Sequence, residues 1–300
     1  MKRLISASAS EINKMDASQL KQAIFASEGR TIVAETVVTS PPLIQGLSNP
    51  EVMATFGADV IILNELDVFN PEIPGLEEFS GSKGIIQELK RLIGRPIAIN
   101  LEPVDERQDL LETRVKLNPG RLVSKESLEA ADELGVDMIL LTGNPATGVT
   151  MSAIREAVKV TKAHSSGLVL AGKMHGAGLT ESIVNEEALL GFMDEGADGV
   201  LIPAVNTVPG VNELENHEVT KSIHARGGLV MATIGTSQES AQVSVIESIG
   251  LSNKRVGVDC HHIGDGAYGR MPDPENITAL SLAVRGKRHT YFRMAQSINR

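Results

Sequence analysis

The 300-residue chain has one cysteine, Cys260, and no tryptophan, and aromatic residues make up only 3% of it. A lone cysteine excludes an internal disulfide and any metal site built from clustered cysteines. With so few aromatic rings, stacking platforms for bases or sugars are scarce. Positive charge is also in deficit: 28 Lys and Arg against 38 Asp and Glu give a formal net charge of -10. That balance argues against nucleic acid as a partner, because a phosphate backbone needs a basic surface. No apolar run approaches the roughly 20 residues needed to span a bilayer. The opening stretch MKRLISASASEINKMDASQL lacks the apolar core of a secretory signal, so a cytoplasmic protein without a membrane partner is expected. The phosphate-cradling G-x-x-x-x-G-K-[ST], the dinucleotide G-x-G-x-x-G after a first strand and the G-x-S-x-G elbow are all missing.

What is present is an alternation. Eight short, nearly continuous apolar runs read as parallel strands buried on both faces. They are Thr31–Val38, Ala58–Leu66, Pro96–Leu101, Val136–Thr142, Gly167–Gly172, Ala197–Pro203, Gly228–Ile234 and Arg255–Cys260. Helical stretches separate them. Ser124 is placed to cap KESLEAADEL, Ser237 to open SQESAQVSVIESIG, and Asp273-Pro274 to start ENITALSLAV. Gly135, Gly196 and Gly250 fall where helices should stop. Three helix ends run into a strand through one phrase: Gly57-Ala58-Asp59, Gly135-Val136-Asp137 and Gly196-Ala197-Asp198. A recurring βα unit of this kind predicts a closed (βα)₈ TIM barrel in a single domain, with residues 31–300 as the barrel and 1–30 as a helical cover for its floor. An open doubly wound sheet is the alternative.

In such a barrel the chemistry sits at the C-terminal ends of the strands. The polar residues expected there as catalytic candidates are Glu35, Glu65, Glu102, Lys173, His175, Asp259 and His261. Period-two geometry places Asn100 with Glu102, Lys173 with His175, and Asp259 with His261. Lys173 is also a candidate imine-forming nucleophile. Glu35, Glu65, Glu102, Asp259 and His261 could ligate a divalent metal ion, the one cofactor in view. Phosphate is expected between Gly235-Thr236-Ser237 and the loop bearing Gly264 and Gly266, because the loops after strands seven and eight hold phosphate in many barrels.

The segments GADVIILNELDVF and PIAINLEPV resemble the second and third strands of BtpA-like barrel proteins, and Lys173-Met174-His175 is similar to a lysine–histidine pair on their fifth strand. The resemblance implies the broad phosphate-binding barrel class, which includes isomerases, aldolases and synthases. The resulting expectation is an isomerase or lyase that acts on a small phosphorylated carbonyl or sugar metabolite by proton transfer or carbon–carbon bond chemistry. Glu35, Glu102 and His175 are its acid–base candidates, and a homo-oligomer is a further expectation. The alternatives are a metal-assisted hydrolase using Glu65, Glu102, Asp259 and His261, and a non-catalytic metabolite-binding barrel.

Overall fold

The computed structural model describes residues 2–300 and closes the sheet as expected. Strands β1 (Thr31–Val37), β2 (Val60–Asn64), β3 (Ile97–Leu101), β4 (Met138–Leu141), β5 (Leu168–Gly172), β6 (Gly199–Pro203), β7 (Leu229–Ile234) and β8 (Cys260–Ile263) form one parallel barrel. Its last seam pairs Thr31 with Cys260 and Ala34 with Ile263. Around it lie α3 (Asn49–Thr55), α4 (Ile85–Ile93), α5 (Lys125–Leu134), α6 (Met151–His164), α7 (Glu186–Asp194), α8 (Glu213–Ala225), α9 (Val243–Val256) and α10 (Pro274–Ala295), the last broken at Gly286. The expected single helix before β1 is instead two, α1 (Ala9–Ile12) and α2 (Ala17–Phe25). Their Ile12, Leu20 and Ile24 pack against Val33, Val60 and Leu168 in one buried cluster, so the leading segment plugs the barrel floor.

The interior is stacked in layers of four, each drawn from alternate strands. Val60, Met138, Gly199 and Cys260 make one. Val33, Ala98, Leu170 and Met231 make the next, then Ile62, Leu140, Leu201 and His262, and above them Glu35, Asn100, Gly172 and Thr233. Polarity rises with height, so the apolar layers carry stability and the upper ones are left for chemistry.

The helix-to-strand phrase has a structural purpose that explains its recurrence. Asp59, Asp137, Asp198 and Asp259 stand just before β2, β4, β6 and β8. Each carboxylate accepts the backbone N–H of a residue in the preceding odd-numbered strand: Ile32 at 2.8 Å, Ile97 at 2.8 Å, Val169 at 3.0 Å and Val230 at 2.8 Å. Each aspartate's own N–H returns a bond to the carbonyl of that same residue. A basic side chain completes every clasp: Arg285, Lys90, Lys162 and His224 respectively. Hydrogen bonds to a charged group contribute about 1.5–3 kcal/mol each, so the ring of four is a substantial part of the floor. The glycine preceding each pair must take a positive φ, 111° at Gly57, 81° at Gly135, 99° at Gly196 and 93° at Gly257, which a side chain would resist.

The eighth unit corrects the expectation. Residues expected as the eighth strand, from Arg255, continue α9 to Val256, and β8 starts at Cys260. Gly250 does not stop that helix. It is a buried contact position where an added Cβ would meet Leu280 Cδ1 at 2.9 Å. Nor does Ser237 open it, because a short 3-10 turn, Gln238–Ser240, intervenes and the α-helix begins at Val243.

Candidate active site at the barrel mouth

The layering decides which side chains can meet. Glu35 stands in the inward row of β1, Asn64 ends that of β2 and Asn100 that of β3. Together with Thr142, Asn144, Met174, His175, Ser237, Asp265 and Arg270 they line a cavity of about 370 Å³ at the mouth. A larger groove of about 680 Å³ lies on the flank beside Val104, Leu122 and Ala153. The mouth is the better candidate because the perturbed titratable groups gather there.

The centre of the mouth is a hydrogen-bonded chain. Glu35 Oε2 lies 2.8 Å from His262 Nε2, and Asn100 Nδ2 donates to Glu35 Oε1 at 2.5 Å. Asn64 Nδ2 donates to Asp265 Oδ2 at 2.7 Å and to Asn144 Oδ1 at 2.9 Å. Asn144 in turn donates to both oxygens of Glu102, at 2.8 Å from its backbone and 2.7 Å from its side chain. Burial, and then the nearby Glu35 carboxylate, push the Asp265 carboxyl up to about 7. Burial likewise lowers the His175 pKa, with Lys173 adding to the effect. The Ala177 N–H donates to His175 Nδ1 at 3.0 Å, which leaves the neutral ring's proton on Nε2. Glu239 sits behind the Gly264–Gly266 loop, fully buried. Neither of its carboxylate oxygens has a partner, and burial raises its pKa.

Of the seven catalytic candidates, the structure brings Glu35 and His175 into the mouth cavity; Glu102 lines the flank groove and reaches the mouth only through its bonds from Asn144, and the others lie elsewhere. Lys173 fails to converge with them. Leu168, Leu170 and Met174 hold the inward row, so Lys173 turns out of the barrel. Its Nζ is buried among Val149 O at 2.9 Å, Gly176 O at 3.1 Å and a Glu181 carboxylate oxygen at 2.7 Å. Burial lowers the Lys173 pKa and the Glu181 carboxylate works against that shift, while the three acceptors make the side chain a brace between loops. Glu65 lies outside the mouth cavity, bonded to Thr39 at 2.7 Å and facing Arg121 and Arg270. Asp259 belongs to the floor clasp. His261 faces the helix layer, where its Nε2 lies 3.1 Å from Gly29 O and burial drops its pKa to about 4. The later start of β8 shifts the inward row by one residue, which exchanges His261 for His262. The five metal-ligand candidates are therefore dispersed, and among the described residues no three His, Cys, Asp or Glu side chains are gathered to hold an ion.

Gly235, Thr236, Ser237 and Gly266 line the mouth as expected, whereas Gly264 is spent on a bond to Ile234 O. Thr236 turns its hydroxyl away to Thr207 O. Strain collects at this end of the barrel. Six of the seven non-glycine residues with positive φ, Glu65, Ala146, Ala177, Asn206, Ser237 and Arg270, lie in loops after strands. Such strain persists where surrounding structure enforces it, commonly at binding sites. Sequence reasoning left Asp265, His262 and Glu239 out of the candidate set. A fourth copy of the phrase, Gly257-Val258-Asp259, was the signal that places His262 inside. Asp265 stands out in the sequence only as a carboxylate inside the expected phosphate loop, and no local signal marks Glu239.

Fold and site together define a (βα)₈-barrel protein with a buried acid–base cluster at its mouth. The chain belongs to the family described as Domain of unknown function (DUF7916), whose profile matches residues 5–300. The narrower resemblance to BtpA-like proteins thus reduces to the shared barrel. No curated protein matches the chain. Among solved structures, an archaeal fructose-1,6-bisphosphate aldolase with its catalytic Lys bound to a carbinolamine intermediate is similar at 14% identity, with a TM-score of 0.53 over 87% of this chain and 96% of that one. The Amycolatopsis orientalis BexX/CysO complex is similar at 13% identity and a TM-score of 0.50, over 88% and 91% of the two chains. A 2,3-dimethylmalate lyase gives 12% and 0.50, over 86% and 81%. These likenesses establish the barrel. Among the described residues, no helix is long and apolar enough to cross a membrane.

Proposed function

We propose that this chain is an enzyme that moves a proton on a small hydroxyl- or carbonyl-bearing metabolite, in the manner of an isomerase or lyase. One observation carries the reading: the cavity-lining Asp265 carboxyl titrates near 7, beside Glu35 and in the same cavity as a neutral His175. A carboxyl tuned to the working pH transfers protons in either direction, which contributes about 10²–10⁴-fold to a rate. In the mechanism, Asp265 takes the proton from the substrate carbon. His175 presents Nε2–H to the substrate oxygen and stabilises the negative charge that develops there. Asp265 then delivers that proton to the adjacent position, which restores the base, while His262 holds the Glu35 carboxylate in place. Glu102 is a positioning residue, since it fixes Asn144 and through it Asn64 and Asp265.

The expected phosphate grip is the weaker part of the earlier picture, because the rim glycines share their cavity with Glu35 and Asp265. Incubating the protein with a small-molecule extract in D₂O tests the proposal by mass spectrometry. Wild type should label a metabolite with deuterium, and Asp265→Asn should label it about 10²–10⁴-fold more slowly. The rate should rise with pH to a plateau above 7, as Asp265 loses its proton. Labelling by Asp265→Asn at the wild-type rate would refute it.

A further inference from the structure

The chemical nature of the ligand can be read from what the mouth leaves unpaired. Asn100 and Thr142 line the cavity and are only 4% and 3% exposed, yet Asn100 Oδ1 and Thr142 Oγ1 have no hydrogen-bond partner. The Asn100 amide is not free to flip, because its Nδ2 is committed to Glu35. Its unpaired atom is therefore an acceptor. Buried acceptors are rarely left empty, so the ligand should bring donors to this spot.

Charge narrows the choice among donors. Two carboxylates line the cavity, Glu35 and Asp265; Glu35 is paired with the His262 imidazole, and among the described residues no Lys or Arg side chain forms a salt bridge with either. Arg270, the one arginine in the lining, is half exposed and leans 3.6 Å from Glu65. Arg121 is held by Glu102. Behind the wall, Glu239 adds a further buried carboxyl with both oxygens unpaired. Burial first, and then the Glu35 carboxylate, raises the pKa of Asp265 against the pull of Arg270 and His262. A phosphate entering here meets repulsion on two sides, whereas an ammonium brings three donors and the opposite charge.

We infer that the mouth binds its ligand through a protonated primary amine, directed at Asn100 Oδ1 and Thr142 Oγ1 and neutralised by Glu35 and Asp265. The ligand is then an amino alcohol or amino sugar. A cavity of about 370 Å³ lies near the lower end of the roughly 300–1,000 Å³ range for small-molecule sites, which suits one molecule of monosaccharide size. This inference rests on reading the cavity as the substrate site.

Calorimetric titration at neutral pH tests it with matched probes: ethanolamine, serinol and glucosamine against ethylene glycol, glycerol and glucose, with glycerol 3-phosphate as the anionic arm. The expected result is that at least one amine binds about tenfold or more tightly than its alcohol, with glycerol 3-phosphate the weakest. That preference should disappear in Asn100→Leu. Thr142→Val, nearly isosteric, should reduce it if Asn100→Leu does not fold. Absence of an amine preference throughout, including absence of any binding, overturns the inference, as does tighter binding of the phosphate. Binding is read without turnover. An amine preference without deuterium labelling would remove the catalytic reading alone, and labelling of a phosphorylated compound would remove this inference alone.

Discussion

Replacing Asp265 by Asn should make the protein more stable at alkaline pH while it slows the chemistry. The carboxyl is held at about 7 in the folded chain, against 3.8 for an ordinary aspartate. Between about pH 4 and 7 the folded state keeps a proton that the unfolded chain has already released. Stability therefore falls as pH rises through that window, and the penalty is complete above it. About three pKa units at 1.36 kcal/mol each set a ceiling of about 4 kcal/mol. Asp265 keeps some contact with solvent at the cavity wall, which brings the expectation to about 2–3 kcal/mol. An asparagine keeps the carbonyl that accepts from Asn64, so that bond survives. Thermal melts across pH 4–8 supply the assay. At pH 8 the variant should melt about 5 °C above wild type, and at pH 4 the two should coincide. A variant that melts below wild type at pH 8, or a gap that ignores pH, would show that Asp265 is not a strained carboxylate.

Two further outcomes follow from where Lys173 and His261 lie. Lys173→Met removes the donor shared by Val149, Gly176 and Glu181. It should cost about 2–4 kcal/mol and speed hydrogen exchange in the loops after β4 and β5, and borohydride should trap no carbonyl adduct on Lys173 in wild type. Unchanged exchange, or a trapped adduct, would contradict the brace. His261 is buried neutral with its pKa near 4, against 6.5 in the unfolded chain. The unfolded state therefore binds the extra proton, and about 3 kcal/mol of stability should be lost as pH falls from about 6.5 to 4. His261→Gln should flatten that part of a urea-unfolding profile, and an undiminished loss would rule out His261 as its source.

The barrel was legible because its evidence is local and repeated. Apolar runs, helix stops and the Gly-x-Asp phrase all report on neighbouring residues. The mouth was legible only where a strand's inward row was known. Asn100 was placed inward because β3 lies almost wholly within its apolar run, one residue short at the start. One misjudged helix end, at Val256, exchanged His262 for His261 and made a floor clasp look like a catalytic aspartate. Lys173 was lost to strand parity: Leu168 and Leu170 hold the inward row of β5, so Val169, Ala171 and Lys173 face outward together. Asp265 depends on contact with Asn64 across 201 residues of sequence, a relation that no window along the chain can contain.

The four clasps of the floor also divide the chain into equal partners. Each joins an odd strand to the even strand after it, and for three of them the basic side chain comes from the helix just ahead of the odd strand: α4, α6 and α8. No helix in that role precedes β1, and Arg285 of α10 takes the place, from the far end of the sequence. The order of parts is therefore circular, with four two-strand modules of which any could stand first. Quarter-turn equivalence stops where function begins. The corresponding positions three residues above the clasped amides are Glu35, Asn100, Gly172 and Thr233, four different residues. A repeated base carries a mouth in which no two quarters are alike, so the chemistry can change by substitution in one quarter without disturbing the ring that keeps the barrel closed.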